Sequence, residues 1–475
     1  MNKSGYKLAL LVIFFLSLFF RFWRVDFFNT LVFDEVYYPV FANRYLLGEP
    51  VYNAHPPLSQ YLIAVGIWLG EKMPFPHEIT NGFLGSVRST FSYRWLNALT
   101  GAFIPLVIGE IAYRLTRRRS YGAIAALLAA LDGLFLVESR FALNNIYLVL
   151  FGLLGQLLLF LALDTPPNRR WSKLLLSGLF FGLSAAIKWN GLGFLLGIYL
   201  VAFLHLILVF IRQPRDRPAD SPPVSRPLPL QNLQQLTPLA FILYLGVIPV
   251  ATYCLSWIPH LLMNPKPSFW EMQQRILSFH QSVGNGPKVH PYCSPWYSWF
   301  IMERPVAYLY QTARDTREAI PSLPPLPPAS AKVIYDVHAM GNPPLWWLSS
   351  AAILGLLFLI LKRLWQRQLW QESNAASSWL GVYLLCNFGA NLLPWLKVTR
   401  CTFIYHYMAA SVFCTLALAW FIELLLHSRR YIFRQIALAS LAIAILGFIY
   451  WLPIFIGLPL SPTGYKIRMF FRNWI

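Results

Sequence analysis

Residues 95–138 read WLNALTGAFIPLVIGEIAYRLTRRRSYGAIAALLAALDGLFLVE. Two apolar stretches, 95–113 and 121–138, are each about 20 residues long, enough to cross a bilayer as a helix. Between them lies a short connection that carries Arg114, Arg117, Arg118 and Arg119. A short, basic turn between two such stretches marks a polytopic helical membrane protein and predicts that this turn faces the cytoplasm.

Working outward, further stretches of the same kind fall at 5–22, 146–163, 174–188, 192–211, 238–258, 344–361, 379–396, 402–426 and 434–454, which predicts about eleven transmembrane helices. The composition agrees. Of 475 residues, 57% are hydrophobic and only 12% are charged, where soluble domains carry about a quarter charged residues. The 18 Trp and 24 Tyr suit rings anchored at headgroup level. The short basic connections contain Lys3, Lys7, Arg114, Arg117–Arg119, Arg169, Arg170, Lys173, Arg212, Arg215, Arg217, Arg226, Lys362, Arg363, Arg367, Arg429, Arg430 and Arg434. These make up 19 of the 39 basic residues. The net charge of +20 therefore follows the positive-inside rule, and no basic–aromatic cluster points to nucleic acid. The expected N-terminus is cytoplasmic, the C-terminus outside, and the protein is integral to the plasma membrane.

That topology leaves two long exterior connections, 21–94 and 259–343, and a Pro/Arg-rich cytoplasmic linker, 212–237. The whole chain, 1–475, reads as one catalytic transmembrane domain without internal repeats. The apolar run 58–69 is short, and counting it as a span would invert Arg117–Arg119, so it is expected to lie in the interface. Pro321 to Pro328 reads as an extended spacer. The first span resembles a signal peptide but lacks a small-residue cleavage site, so it is expected to be retained. Cys254, Cys293, Cys386, Cys401 and Cys414 show no ligand spacing, and neither a required disulfide nor a zinc site is expected.

The polar residues collect at the exterior ends. Asp34, Glu35 and His55 lie on the first long connection, and Arg94 opens the second span. Glu138, Ser139, Arg140, Asn144 and Asn145 form the turn after the third, and Lys188 ends the fifth. Lys397, Arg400, Tyr405, His406 and Tyr407 surround the start of the tenth. Charges near bilayer depth are expensive and tend to line a functional cavity. Cations converging on an acidic pair suit a phosphate held beside a general base. Read singly, Arg94, Arg140 and Lys188 are equally snorkelling anchors, Tyr405–Tyr407 an aromatic belt, and His55-Pro56-Pro57 a helix start. Asp132, Glu110 and Glu423 fall inside spans and read as structural partners.

Several strings occur in an order that resembles the protein O-mannosyltransferases, membrane enzymes of the GT-C glycosyltransferase fold. They are Asp34-Glu35, His55-Pro56-Pro57-Leu58, Tyr93-Arg94-Trp95-Leu96-Asn97, Ser139-Arg140, Gly182 to Gly191 with Lys188-Trp189-Asn190, Trp296 to Trp299 with Arg304-Pro305, Gly341-Asn342-Pro343, and Phe403 to Tyr407. Two family aspartates read Asn53 and Asn145 here, and nothing resembles the β-trefoil domain of eukaryotic members, which implies a bacterial type.

The resemblance implies an all-α GT-C fold and transfer of mannose, with inversion, from polyprenyl-phosphate-mannose to Ser or Thr of exported proteins. The donor is a substrate, and no metal or other cofactor is implied. Asp34 matches the catalytic aspartate and would be the base, with Glu35 placing the acceptor. Arg94, Arg140, Lys188 and His406 are candidates for the phosphate, Arg94 alternatively for a pair with Asp34 or Glu35. His55 and Tyr405 would complete the substrate site. The expected partners are the lipid-linked donor, the acceptor proteins and membrane lipid. Oligomeric state carries no sequence signal. A same-fold enzyme acting on a lipid or glycan, such as an aminoarabinose transferase, and a lipid-linked-sugar transporter are the rival readings.

Overall fold

The computed structural model describes residues 1–475 except 76, 84, 212–228, 319–324, 328 and 370–374. All eleven apolar stretches are helical. The chain opens with α1 (Lys3–Phe22), capped by Asn2. The first long connection then contributes α2 (Tyr38–Leu47), α3 (Leu58–Gly70) and the antiparallel hairpin β1 (Thr80–Phe83) and β2 (Ser86–Ser89), paired Thr80 with Ser89. The run 58–69, expected in the interface, is the short helix α3. It lies against α4 (Thr90–Thr116), where Trp95 Nε1 donates to Gly66 O (2.8 Å), and leaves Val65 and Trp68 exposed.

The third stretch departs from the expected continuous span. It is two helices, α5 (Arg119–Ala130) and α6 (Gly133–Arg140), bent by 58°. Asp132 causes the break. Its backbone is extended and its carboxylate accepts from Phe135 N–H (3.1 Å), so a new helix starts there. The bend aims Glu138–Arg140 at the first long connection.

Next come α7 (Asn145–Leu163), α8 (Trp171–Ile187), α9 (Leu192–Ile211) and α10 (Pro238–Met263). Gly178 and Gly182 on α8 allow α10 to approach closely, since a Cβ at either would strike the carbonyls of Tyr244 or Pro249. The second long connection holds α11 (Phe269–Ser282) and the hairpin β3 (Val306–Ala313) and β4 (Val333–Ala339). These strands are an addition to the all-α expectation. β3 is buried on nearly all positions, so it lacks the alternation that marks a strand. The last spans are α12 (Pro343–Trp365), α13 (Ala375–Leu392), α14 (Met408–Leu426) and α15 (Tyr431–Ile456). Among the described residues nine helices are long and apolar enough to cross a membrane. The bent pair α5–α6 and the shorter α8 account for the other two stretches. α14, buried along almost its whole length, forms the centre.

Two further expectations change. Cys293 and Cys401 form a disulfide, which sequence spacing did not suggest because 108 residues separate them. Most of the proposed linker 212–237, and Pro321–Pro324 with Pro328 of the spacer, lie outside the described residues; 229–235 is a short helix.

Candidate active site

Asp34 sits in a single helical turn, Phe33–Val36, between α1 and α2. Phe33 has φ 45°, a left-handed conformation that costs a residue with a Cβ about 1–2 kcal/mol. Aromatic rings hold it there. Phe33 stacks on Tyr308 at 4.9 Å and meets Phe403, His290 and Tyr405 edge-on within 6 Å. The turn presents the two adjacent carboxylates in different directions.

Glu35 is fully buried and every oxygen is engaged. Arg94 Nε donates to Oε1 (2.9 Å) and Nη2 to Oε2 (2.7 Å), while Val32 N–H (3.1 Å) and Ala142 N–H (2.7 Å) complete the set. Arg94 spends its remaining donors on the carbonyls of Val25, Phe28 and Thr30. The pair therefore joins the Asp34 turn, the segment after α1 and the α6–α7 turn into one frame. Of the alternatives open for Arg94, pairing with Glu35 is what the structure shows. Arg140 is likewise engaged, donating to the carbonyls of Phe20 and Trp23 (2.8 Å each) at the C-terminus of α1. Neither Arg94, Arg140 nor Glu35 faces the open part of the site.

Asp34 keeps partial exposure. Burial pushes its carboxyl above the ordinary range, and the Lys188 ammonium and Tyr38 hydroxyl pull it partly back. Lys188 follows the end of α8 in an extended conformation. Its Nζ donates to Asn145 Oδ1 (2.9 Å) and lies 5.5 Å from the Tyr405 ring. Asn145 Nδ2 in turn donates to Glu138 Oε2 (2.9 Å), and Tyr308 OH also donates to Glu138. The Lys188 charge thus keeps donors unspent while its position is fixed through a neutral amide.

Arg400 adds a second cation. Its Nη1 donates to the carbonyl of Cys401, and its charge bears on Tyr38, Tyr405, His55, His280 and His406. Among the described residues neither Lys188 nor Arg400 makes an ion pair. His55 is half-buried, and burial and those cations hold it far below the usual histidine range. Its ring lies 5.1 Å from His280, which burial, Arg400 and Lys188 push down to about 4. Both rings are neutral at pH 7. The His406 Nδ1 is occupied by the Phe403 backbone (3.1 Å), and its ring packs on Trp395 and Trp299.

The structure thus brings together Asp34, His55, Lys188, Tyr405 and His406, and sets Glu35, Arg94 and Arg140 behind them. Sequence reasoning missed Tyr38, Tyr308 and His280, and recorded Glu138, Asn145 and Arg400 without selecting them. For the last three the signal was present, as polar groups at the ends of spans. Among the described residues no group of three or more His, Cys, Asp and Glu side chains is placed to hold a metal. A carboxylate with a raised proton affinity in the field of a lysine that, among the described residues, makes no ion pair can accept a proton while an anion leaves.

Two family profiles match the chain in succession: dolichyl-phosphate-mannose-protein mannosyltransferase over residues 11–262, and the C-terminal four-TMM region of protein-O-mannosyltransferase over residues 265–474. A polyprenol-phosphate-mannose–protein mannosyltransferase of Mycolicibacterium smegmatis is 26% identical, covering 94% of this chain and 88% of the relative. That of Corynebacterium glutamicum is 24% identical, over 88% and 81%. Among solved structures, the Saccharomyces cerevisiae Pmt1-Pmt2 complex bound to its sugar donor superposes with a TM-score of 0.70 at 14% identity, covering 100% of this chain and 93% of that one. ArnT from Cupriavidus metallidurans bound to undecaprenyl phosphate gives 0.53 at 11% identity, over 96% and 77%. The shared architecture is the GT-C fold.

Proposed function

The chain belongs to the dolichyl-phosphate-mannose–protein mannosyltransferase family, and from that premise we propose how its residues carry out the transfer. It is a membrane glycosyltransferase that moves mannose from polyprenyl-phosphate-mannose to Ser or Thr hydroxyls of exported proteins. The whole chain acts as one catalytic domain. Asp34 takes the proton of the acceptor hydroxyl as its oxygen attacks the anomeric carbon. The bond from that carbon to the phosphate oxygen breaks on the opposite face, so configuration inverts. The leaving polyprenyl phosphate gains negative charge, which Lys188 and Arg400 meet with charge-assisted hydrogen bonds. Glu35 and Arg94 hold the Asp34 turn, and Arg140 fixes the end of α1. His55, Tyr405 and His406 line the substrate site as neutral groups. With two fixed cations at the phosphate, the reaction runs without a metal.

The observation that carries this reading is Asp34 within the field of Lys188, with Arg400 acting on the same Tyr38 and Tyr405, and with both cations free of ion pairs among the described residues. An extracytoplasmic site in the plasma membrane is supported by the 19 of 39 basic residues in the short connections. The disulfide at Cys401, next to Arg400, adds support, because disulfides persist in oxidising compartments.

The test uses membranes containing the protein, radiolabelled polyprenyl-phosphate-mannose and a Ser/Thr-rich peptide, with and without a chelator. Protease-sensitive label at equal rates in both supports the reading. Label confined to lipid overturns the protein acceptor, and activity lost in chelator but restored by magnesium or manganese overturns the metal-free phosphate site.

A further inference from the structure

Asn144 sits at the N-cap position of α7, where its residue type is favoured because it can accept from the first helical N–H groups, yet it makes no such bond. It is 1% exposed, and neither Oδ1 nor Nδ2 has a hydrogen-bond partner of good geometry. A buried amide left in that state is destabilising, and native structures seldom keep one without a ligand or water to satisfy it.

The surroundings narrow what satisfies it. The Tyr38 hydroxyl is close to both Asn144 and Asp34. On the other side, Asn145 accepts from Lys188. Asn144 is therefore linked to the proposed base through Tyr38 and is the chain neighbour of the residue that holds the proposed phosphate ligand, the two ends that the sugar ring must bridge. Its turn is also rigid. Ala142 N–H donates to Glu35 (2.7 Å) and Asn97 Nδ2 donates to Leu143 O (2.6 Å), so the amide is held in register with Asp34 through Glu35.

We propose that Asn144 is a specificity residue that reads ring hydroxyls of the transferred hexose. A carboxamide offers one acceptor and two donors on adjacent atoms, which matches a pair of vicinal hydroxyls. This rests on the mannosyl-transfer reading above and assigns the sugar contact within it.

The test compares wild type, Asn144→Leu and Asn144→Ser with polyprenyl-phosphate-mannose and with its C2 epimer, polyprenyl-phosphate-glucose. Asn144→Leu should lower kcat/KM for the mannose donor about 10- to 100-fold and lower the mannose-to-glucose preference, with the peptide KM unchanged. Asn144→Ser keeps a smaller polar group and should retain part of the preference. It also supplies the readout if the leucine variant does not accumulate. An unaltered preference in both variants, whatever happens to Tm, overturns the proposal and makes Asn144 a structural amide. A rise confined to peptide KM overturns it in favour of an acceptor contact. Wild type that uses neither hexose donor would instead overturn the mannosyl-transfer reading itself.

Discussion

Asp34 and Glu35 are neighbours in sequence, each answers a cation, and the two pairs have opposite character. Glu35 and Arg94 are both fully buried and consume each other's hydrogen-bonding capacity, together with carbonyls and amides from three segments. Asp34 and Lys188 act on each other without direct contact, and Lys188 keeps donors in reserve. The first pair is saturated and the second is not. A saturated ion pair fixes geometry and has nothing left for a ligand, whereas an unsaturated one holds electrostatic capacity that a substrate can use. The comparison also separates Arg94 and Arg140 from Lys188: the two arginines bind backbone carbonyls as multidentate clamps, a task suited to the planar guanidinium.

The most severe test of this contrast is Asp34→Asn. It should cut kcat about 10²–10⁴-fold while leaving Tm and donor KM near wild type, because it removes a base and little else. Near-normal turnover would place the base elsewhere. On the saturated side, Arg94→Met leaves the Glu35 carboxylate buried without its partner. The expected loss is about 3–5 kcal/mol of stability, read as a drop in Tm in detergent. A variant with intact Tm and a raised donor KM would move Arg94 into the donor site.

Lys188→Ala should raise donor KM about tenfold or more with little change in peptide KM or Tm, since it removes a charge-assisted contact to phosphate. An effect confined to the peptide would reverse the assignment. The mildest effect is on pH. Because burial raises the Asp34 carboxyl, kcat/KM should fall on acidification at a pH above the ordinary carboxylate range. The stability sign is opposite: a raised carboxyl favours the folded state below the ordinary range, and that contribution is lost as pH rises through the folded value. Activity should therefore fall before Tm does. Simultaneous loss of both would mean that acid unfolds the protein before it titrates the base.

Hydropathy alone located eleven apolar stretches that are helical, nine of them, among the described residues, long and apolar enough to cross a membrane, because about 20 apolar residues in a row have few other uses. It did not show the break at Asp132, since one carboxylate in an apolar run reads the same whether it caps a new helix or pairs across the bundle. Asp34 and Lys188 were legible as motif residues at the ends of spans. The partition between saturated and unsaturated charges was not, because Arg94 meets Glu35 from 59 residues away and Arg140 reaches carbonyls 117 and 120 residues upstream. Backbone carbonyls leave no trace in a sequence pattern. The strands β3 and β4 were hidden for a related reason: burial on both faces erases the period of two, and no short turn joins them.

The disulfide has a consequence for assembly. The loop it closes begins ahead of α12 and ends beyond α13, so the ring of covalent bonds contains two helices long and apolar enough to cross a membrane. An even number of passages is the only parity that returns Cys401 to the face where Cys293 waits. A chain in which one of those two helices fails to insert leaves the two thiols on opposite faces, beyond reach of each other. Closure of this one bond thus records, in a form that a non-reducing gel can read, that the pair of helices between the two halves of the site has entered the membrane correctly.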